Sequence, residues 1–507
     1  MEKKRKIILF TFMGLISLVL SFLYSSSVDN DLLWHFKLGE NILQNGITIK
    51  DTFSWQEGLT WISQEWLYDI YIYLLIKNTG LLGFALSMAV LFFIVMLIAF
   101  QENKNNIRFI PFFIIFLLIR FLFGENAFNR PSLYSIIFIV LLMKFLMNEK
   151  KKKIHYVYVF LIGIIIANIH GGALITCCVI ILLFNLLDIV LLLLGNYKNI
   201  SNIKFDFCSI VLFLLGGLIN PYFYRIYEVG LKGPFLESSN YIMEWQPLEV
   251  MSAEGLVVVV ITLINIIAIA NCQGFRKFQR RPFVSLALTC AFFILGLSSL
   301  RGIQILSVFI TVFNYRYVQS FAYKCIIKFF PDIKNSILLK DKFLHIIVPV
   351  ICGIGILTFL PQEKIYYSTK YESFEEIVEE QSNYSYKILD YMKNNFDDET
   401  RVLNFYNDGN YMILKNIKVF IDSRQHPYSP EFGNNNSLMD LFGAMYSSNY
   451  YKEFMKVVEK YDIEYVYWSH CYDLGYDALE DFQNDFDVVI MDKLENQEYN
   501  QYLFRRK

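Results

Sequence analysis

The chain has 507 residues, of which 55% are hydrophobic and 17% aromatic, with a net charge of −1 and a mean hydropathy of +0.38. Soluble globular domains are less apolar than this, so the composition excludes an ordinary soluble enzyme and points to a polytopic α-helical membrane protein. The near-neutral total hides an asymmetry: residues 361–507 carry 15 Lys and Arg against 27 Asp and Glu, and the remainder 31 against 20. A basic membrane part and an acidic tail imply two domains in different surroundings, and no nucleic-acid partner is expected.

The N-terminus, MEKKRK followed by the apolar run 7–24, is too long and lacks the small-residue cleavage site of a signal peptide, so it is read as a retained membrane helix. A polar stretch follows at once: VDNDLLWHFKLGENILQNGITIKDTFSWQEGLTWISQEW, from Val28 to Trp66. It is too long for a connector between membrane helices, and it is aromatic and free of Pro, which argues against disorder. Acids beside Trp34, Trp55, Trp61 and Trp66 suggest a folded, interface-seated site in this first outer loop, 25–66.

Further apolar runs at 81–100, 107–123, 132–148, 154–170, 173–194, 206–219, 256–271, 283–299, 303–320 and 343–360 bring the total to about eleven transmembrane spans. With that count the basic clusters Lys3–Lys6, Lys150–Lys153, Arg276–Arg281 and Lys324–Lys342 all fall on one side. By the positive-inside rule that side is the cytoplasm, which sets a multi-pass plasma-membrane protein with its N-terminus inside and its tail outside. The domains expected are thus a membrane part, 1–360, and an extracytoplasmic α/β domain, 361–507. In the tail, 371–395 and 450–461 have helical spacing, and 401–405, 419–421 and 464–468 read as short buried strands. The eight Cys show no metal or disulfide spacing and are expected in the core.

On the outer face the polar residues at span ends are Arg130, Asn168 and His170 before Gly171–Gly172, Asn220, Tyr222 and Arg225, Glu244, and Arg301. Charges at the membrane boundary are costly enough to be functional candidates, although any single Arg there also fits snorkelling to head groups. As a set, the first-loop acids and Arg130, Arg225 and Arg301 are what an enzyme acting on a lipid phosphate needs: guanidinium groups for the phosphate, and a carboxylate to take a proton from a hydroxyl. Asp188, inside the sixth span, has no functional account at this level.

The segments DNDLLWHFKLG, DTFSW and WISQEWL resemble the GT-C superfamily of polytopic glycosyltransferases, and within it a bacterial group with the pattern D-x-D-L-W-W-H-x-x-x-G, then D-x-F-S and W-x-x-H-E-W-L. Leu33 stands in place of the group's first Trp and Gln64 in place of its His; IHGG, NPY, EWQP and VFIDSR also resemble the group. The resemblance implies a sugar transferred from a polyprenyl phosphate, whose lipid tail stays in the bilayer, to a glycan, lipid or protein acceptor outside the cytoplasm. It implies Asp31 as base, with Asp29 as second candidate or metal ligand; the substrate set expected with them is His35 and Glu65 of the first loop and Arg130, His170, Tyr222, Arg225, Glu244 and Arg301 of the outer face. Mg or Mn is left open, because some members use a divalent metal and others do not. Two other readings compete. An O-antigen ligase or polymerase-like enzyme would rely on a large late outer loop. A transporter or scaffold would show internal repeats and broken helices at the bilayer midplane.

Overall fold

The computed structural model describes residues 10–11, 13–18, 21, 28–103, 130–149, 151–195, 200–242, 245–329, 373–469, 476–493 and 500–507. The expected spans 107–123 and 343–360, half of 7–24, and Glu244 lie outside them. Contacts divide the chain into two compact units. The first comprises Met1–Ser26, Leu82–Gly230 and Ile242–Ile365, and the second Ser27–Leu81, Leu231–Tyr241 and Tyr366–Lys507. The first outer loop therefore groups with the tail, whereas the sequence division at 360/361 leaves it with the spans. The reason is apolar burial. Trp34, Leu38, Ile42 and Trp61 of the loop share one core with Ile388, Met392, Val419 and Tyr467 of the tail, and a loop of this size cannot bury such residues by itself.

The first unit is helical. Trp66–Asn103, Ala173–Leu193, Ala253–Ala270 and Arg280–Ser298 are long and apolar enough to cross a membrane, and Ser132–Met147 and Lys153–Ile169 are shorter apolar helices. Among the described residues this is fewer than the eleven spans expected, although the expected spans there do coincide with helices. Gly80, with φ 61°, interrupts the longest helix at the division between the units. The expected span 303–320 is broken too, by a π turn at Ile310–Asn314 between Leu300–Phe309 and Tyr315–Phe329. Lys153–Ile169 and Ile200–Gly217 approach backbone to backbone: a Cβ on Gly163 would stand 2.5 Å from the Phe213 carbonyl oxygen, and one on Gly216 2.3 Å from that of Phe160. Small residues at such crossings supply the contact that lipid-facing helices lack by hydrophobicity alone.

Asp188 finds its explanation here. The Arg280 guanidinium donates through Nε to Oδ1 at 2.7 Å and through Nη2 to Oδ2 at 2.9 Å, and through Nη1 to the Met147 carbonyl at 3.1 Å. Lys151 faces Asp206 at 3.6 Å, and Arg281 and Lys144 both reach Glu102. Charges inside an apolar bundle persist only when paired. Arg280 also lies 4.0 Å from Asp206, so Lys151 of the cluster Lys150–Lys153 and Arg280 of Arg276–Arg281 share one buried carboxylate. Cys177 and Cys178 are buried as expected of core thiols, but Cys208 is exposed.

In the second unit four strands form one sheet in the order β1-β2-β4-β3: β1 (Val402–Leu403) lies parallel to β2 (Tyr465–Trp468), and β4 (Asn500–Arg506) is antiparallel to β2 and to β3 (Phe486–Lys493). Helix Tyr450–Lys460 forms where its spacing predicts. The expected helix over 371–395 is two, Phe374–Gln381 and Tyr386–Asn395, because Ser385 accepts from the Ile388 N–H and starts a new helix. The expected strand at 419–421 reduces to one parallel bridge, between Val419 and Ser54 of the first loop.

Candidate functional site

The motif segments of the first loop and of VFIDSR meet inside the second unit. DNDLLWHFKLG forms the start of the helix Asn30–Asn45, whose N-cap is Asp29, accepting from the Asp31 N–H at 2.9 Å. Asp31 therefore does not cap. Its half-buried carboxylate sits in the first turn, where the helix dipole favours negative charge. Its Oδ1 accepts from the Ser423 hydroxyl at 2.5 Å and from Trp34 Nε1 at 3.4 Å. Ser423 in turn accepts from Asn410 Nδ2 at 2.9 Å, and the same amide reaches the Asn30 carbonyl at 3.1 Å. Gly39 ends the motif for a packing reason: a Cβ there would stand 2.1 Å from the Asp69 carbonyl oxygen. Gly46, with φ 81°, closes the helix.

DTFSW and VFIDSR are joined by a buried ion cluster. Arg424 donates to Asp51 Oδ1 at 2.6 Å, and through Nε (2.8 Å) and Nη2 (2.6 Å) to the two oxygens of Asp422. Tyr428 donates to Asp422 Oδ2 at 2.6 Å. Burial opposes the Arg424 charge, yet Asp422 and then Asp51 hold the guanidinium well above its usual range. It also lies 4.2 Å from the Trp61 ring of WISQEWL. Asp51 Oδ2 accepts from the Ser54 N–H at 2.8 Å, and Ser54 donates to the Val419 carbonyl at 2.7 Å. The cluster thus sets the backbone on which Ser423 meets Asp31.

His35 and Glu65, expected to touch substrate, are interior residues, 1% and 9% exposed. His35 Nδ1 lies 2.5 Å from Asp69 Oδ1, Nε2 lies 3.7 Å from Glu65, and Ser63 donates to Asp69 at 3.0 Å. His35 lies on the same helix as Asp31, one turn on, and its contacts with Asp69 and Glu65 fix that helix from the interior.

The remaining candidates belong to the first unit. His170 Nδ1 is 2.9 Å from the Ser135 hydroxyl, and Arg130, half-buried, directly precedes the helix that carries Ser135. Arg301 is exposed, stacks 4.3 Å from the Trp245 ring, and is close enough to act electrostatically on His170. Tyr222 is buried in the NPY turn, where its N–H donates to Asn220 Oδ1 at 2.7 Å, and half-buried Arg225 starts the next helix. His170, the C-cap of the helix Lys153–Ile169, and Arg301 thus lie near one another, while Arg130 stands just before its helix and Arg225 at the start of its own.

Among the described residues no three His, Cys, Asp or Glu side chains are grouped to hold a metal ion. Asp29 and Asp31 are a pair of carboxylates, with one already spent on the cap, so no metal step is built on them. Sequence reasoning missed Ser423, Asn410 and Arg424; the trace of Ser423 and Arg424 was the VFIDSR segment, and Asn410 left none.

Asp408, the residue before the turn that carries Asn410, is fully buried, and burial pushes its carboxyl up to about 7 although Ser469 and the Phe405 N–H donate to it. A carboxyl raised above its unfolded value of about 3.9 contributes stability below that pH and loses it as pH rises through 7. The melting temperature of the full chain in detergent should therefore fall between pH 5 and 8, with this group contributing at most on the order of 4 kcal/mol. Asp408→Asn should flatten that fall; parallel curves for the two proteins would remove Asp408 as its cause.

No protein-family model and no curated protein matches this chain. Solved structures do resemble it. One is the archaeal oligosaccharyltransferase AglB from Archaeoglobus fulgidus in complex with an inhibitory peptide and a dolichol-phosphate, 13% identical, covering 90% of this chain and 69% of that one with a TM-score of 0.48. Others are the Archaeoglobus fulgidus oligosaccharyltransferase in its apo form, 14% identical over 90% and 69% with a TM-score of 0.45, and with Zn and sulfate, 14% over 89% and 67% with a TM-score of 0.44. Likeness at this level assigns the chain to no family.

Proposed function

We propose that the chain is a membrane glycosyltransferase of the GT-C type, moving a sugar from a polyprenyl-phosphate donor to an acceptor of the cell envelope outside the cytoplasm. The observation that carries this reading is Asp31: a half-buried carboxylate fixed by Ser423 at the start of a helix, directly after the first apolar run. Asp31 takes the proton of the acceptor hydroxyl as its oxygen bonds to the sugar's anomeric carbon. The bond from that carbon to the phosphate oxygen breaks, and the lipid phosphate leaves with the electron pair. Attack opposite the leaving group inverts the anomeric centre. Arg130, Arg225 and Arg301 are assigned to the phosphate charge, and His35 and Glu65 to holding the Asp31 helix. A divalent metal is not required by this scheme.

The proposed membrane placement, with the N-terminus in the cytoplasm and the acidic tail outside, is supported by the spacing of basic clusters between apolar runs along the sequence. A reporter fused after Lys507 should be active only outside the cytoplasm. The activity itself is tested with the full chain in vesicles carrying a polyprenyl-phosphate sugar: labelled sugar should pass to an outer acceptor. An intact chain that transfers nothing from a panel of such donors would end the reading.

A further inference from the structure

At the end of the first unit that carries the basic clusters, an open cleft of about 210 Å³ lies between the C-terminal end of Ala253–Ala270 and the helix Tyr315–Phe329. Ala268 and Phe321 give it an apolar wall, and Cys272, Ser320, Arg316 and Lys324 a polar one; among the described residues no carboxylate lines it. Arg316 is held in place from one side: Nη2 donates to the Tyr317 hydroxyl at 3.3 Å, and the guanidinium lies 5.0 Å from the Tyr317 ring. Its Nε is nonetheless buried and has no acceptor among the described residues. A buried guanidinium N–H without an acceptor is costly; Arg316 lines the cleft, and a turn of its side chain toward an oxyanion bound there would satisfy it.

Charge and shape agree on the class of ligand. Lys324 stands two turns beyond Arg316 on the same helix, and Ser320 stands between them on that helix, so the three donors follow one stripe. A planar guanidinium, an ammonium and a hydroxyl together suit the several oxygens of a phosphate. The apolar wall suits an attached chain. Phe329, exposed by 70%, extends an apolar surface along the same helix. On the topology proposed above, this is the cytoplasmic face, where basic pockets between spans meet anionic head groups.

We propose that this cleft binds a phosphate group, carried by an anionic lipid head group or free in solution, through Arg316, Ser320 and Lys324. None of these residues has a part in the proposed glycosyl transfer, and the site stands whether or not that reading holds.

Cys272 lines the cleft and reports on it. The full chain is placed in nanodiscs of phosphatidylcholine, of phosphatidylcholine with phosphatidylglycerol, or of phosphatidylcholine with added inorganic phosphate. Alkylation of Cys272 by N-ethylmaleimide is followed by peptide mass spectrometry, with exposed Cys208 as internal control. Labelling of Cys272 should slow about tenfold when the anion stands at roughly ten times its Kd, by simple mass action, while Cys208 is unaffected. Protection by phosphatidylglycerol alone assigns the head group; protection by inorganic phosphate assigns the free anion. Arg316→Gln should weaken the protecting anion roughly 10–100-fold, the cost of a charge-assisted contact. Where that variant does not fold, Lys324→Gln, at an exposed position, must weaken it by itself. Equal Cys272 rates in all three discs, or protection untouched by these substitutions, overturns the proposal.

Discussion

Asp31→Asn should lower the transfer rate roughly 10²–10⁴-fold, the usual cost of removing a general base, with little change in folding. The structure makes this substitution clean. The cap of the helix is Asp29, so the change leaves the cap in place. An Asn side chain also offers an oxygen at the position where Asp31 Oδ1 accepts from Ser423, so that contact can persist while the basicity is lost. Asp29→Asn is the control: Asn caps as well as Asp, so neither stability nor rate should change as much. Ser423→Ala falls between, since it frees the carboxylate to turn without removing it. Transfer from a lipid-linked sugar, measured beside the melting temperature of each variant, separates the three. If the well-folded Asp31→Asn protein keeps full turnover, Asp31 is not the base.

The second large effect is on folding. Arg424→Gln should destabilise the second unit by roughly 3–5 kcal/mol, because it strands the carboxylates of Asp51 and Asp422 inside the protein without their counter-charge. The side chains of Arg424, Asp51 and Asp422 are all but inaccessible to water. The comparison is Arg401→Gln, which breaks a 2.6 Å ion pair with Asp462 in which both side chains are well exposed; solvent screening should hold that cost to a few tenths of a kcal/mol. Adding Asp51→Asn and Asp422→Asn to Arg424→Gln should recover part of the loss. Thermal unfolding in detergent measures all of these, and an Arg424→Gln protein that melts with the parent would show that the cluster does not hold the unit together. Because Ser423 precedes Arg424, a folded fraction of this variant should also transfer sugar more slowly.

The cap at Asp29 was not legible in the sequence, whereas the apolar runs and the helix 450–460 were. Each is a local matter: hydrophobic length and 3.6-residue spacing act between neighbours a turn apart. The weak strands were harder, because β3 exposes Val488 and Met491 and so lacks the alternation that marks a half-buried strand. The 371–395 segment kept its helical spacing across a break made by a single serine cap.

The candidate site divides in the same way. That Asp31 stands at the head of a polar loop after an apolar run, among aromatic residues, is a fact of order along the chain, and so is the resemblance of its motif. What the carboxylate touches is not. Ser423 is 392 residues away from Asp31, Arg424 is 373 from Asp51, and Arg280 is 92 from Asp188. A buried charge must be paired, but one sequence does not say with which partner, since pairing is chosen by how the apolar faces pack. Composition, helix-forming segments and the one-sided basic clusters thus came from the sequence by itself. The union of the first loop with the tail, the burial of His35 and Glu65, and the hold of Ser423 on Asp31 were decided by tertiary packing, because only a shared core of residues far apart in the chain brings those side chains within hydrogen-bonding distance.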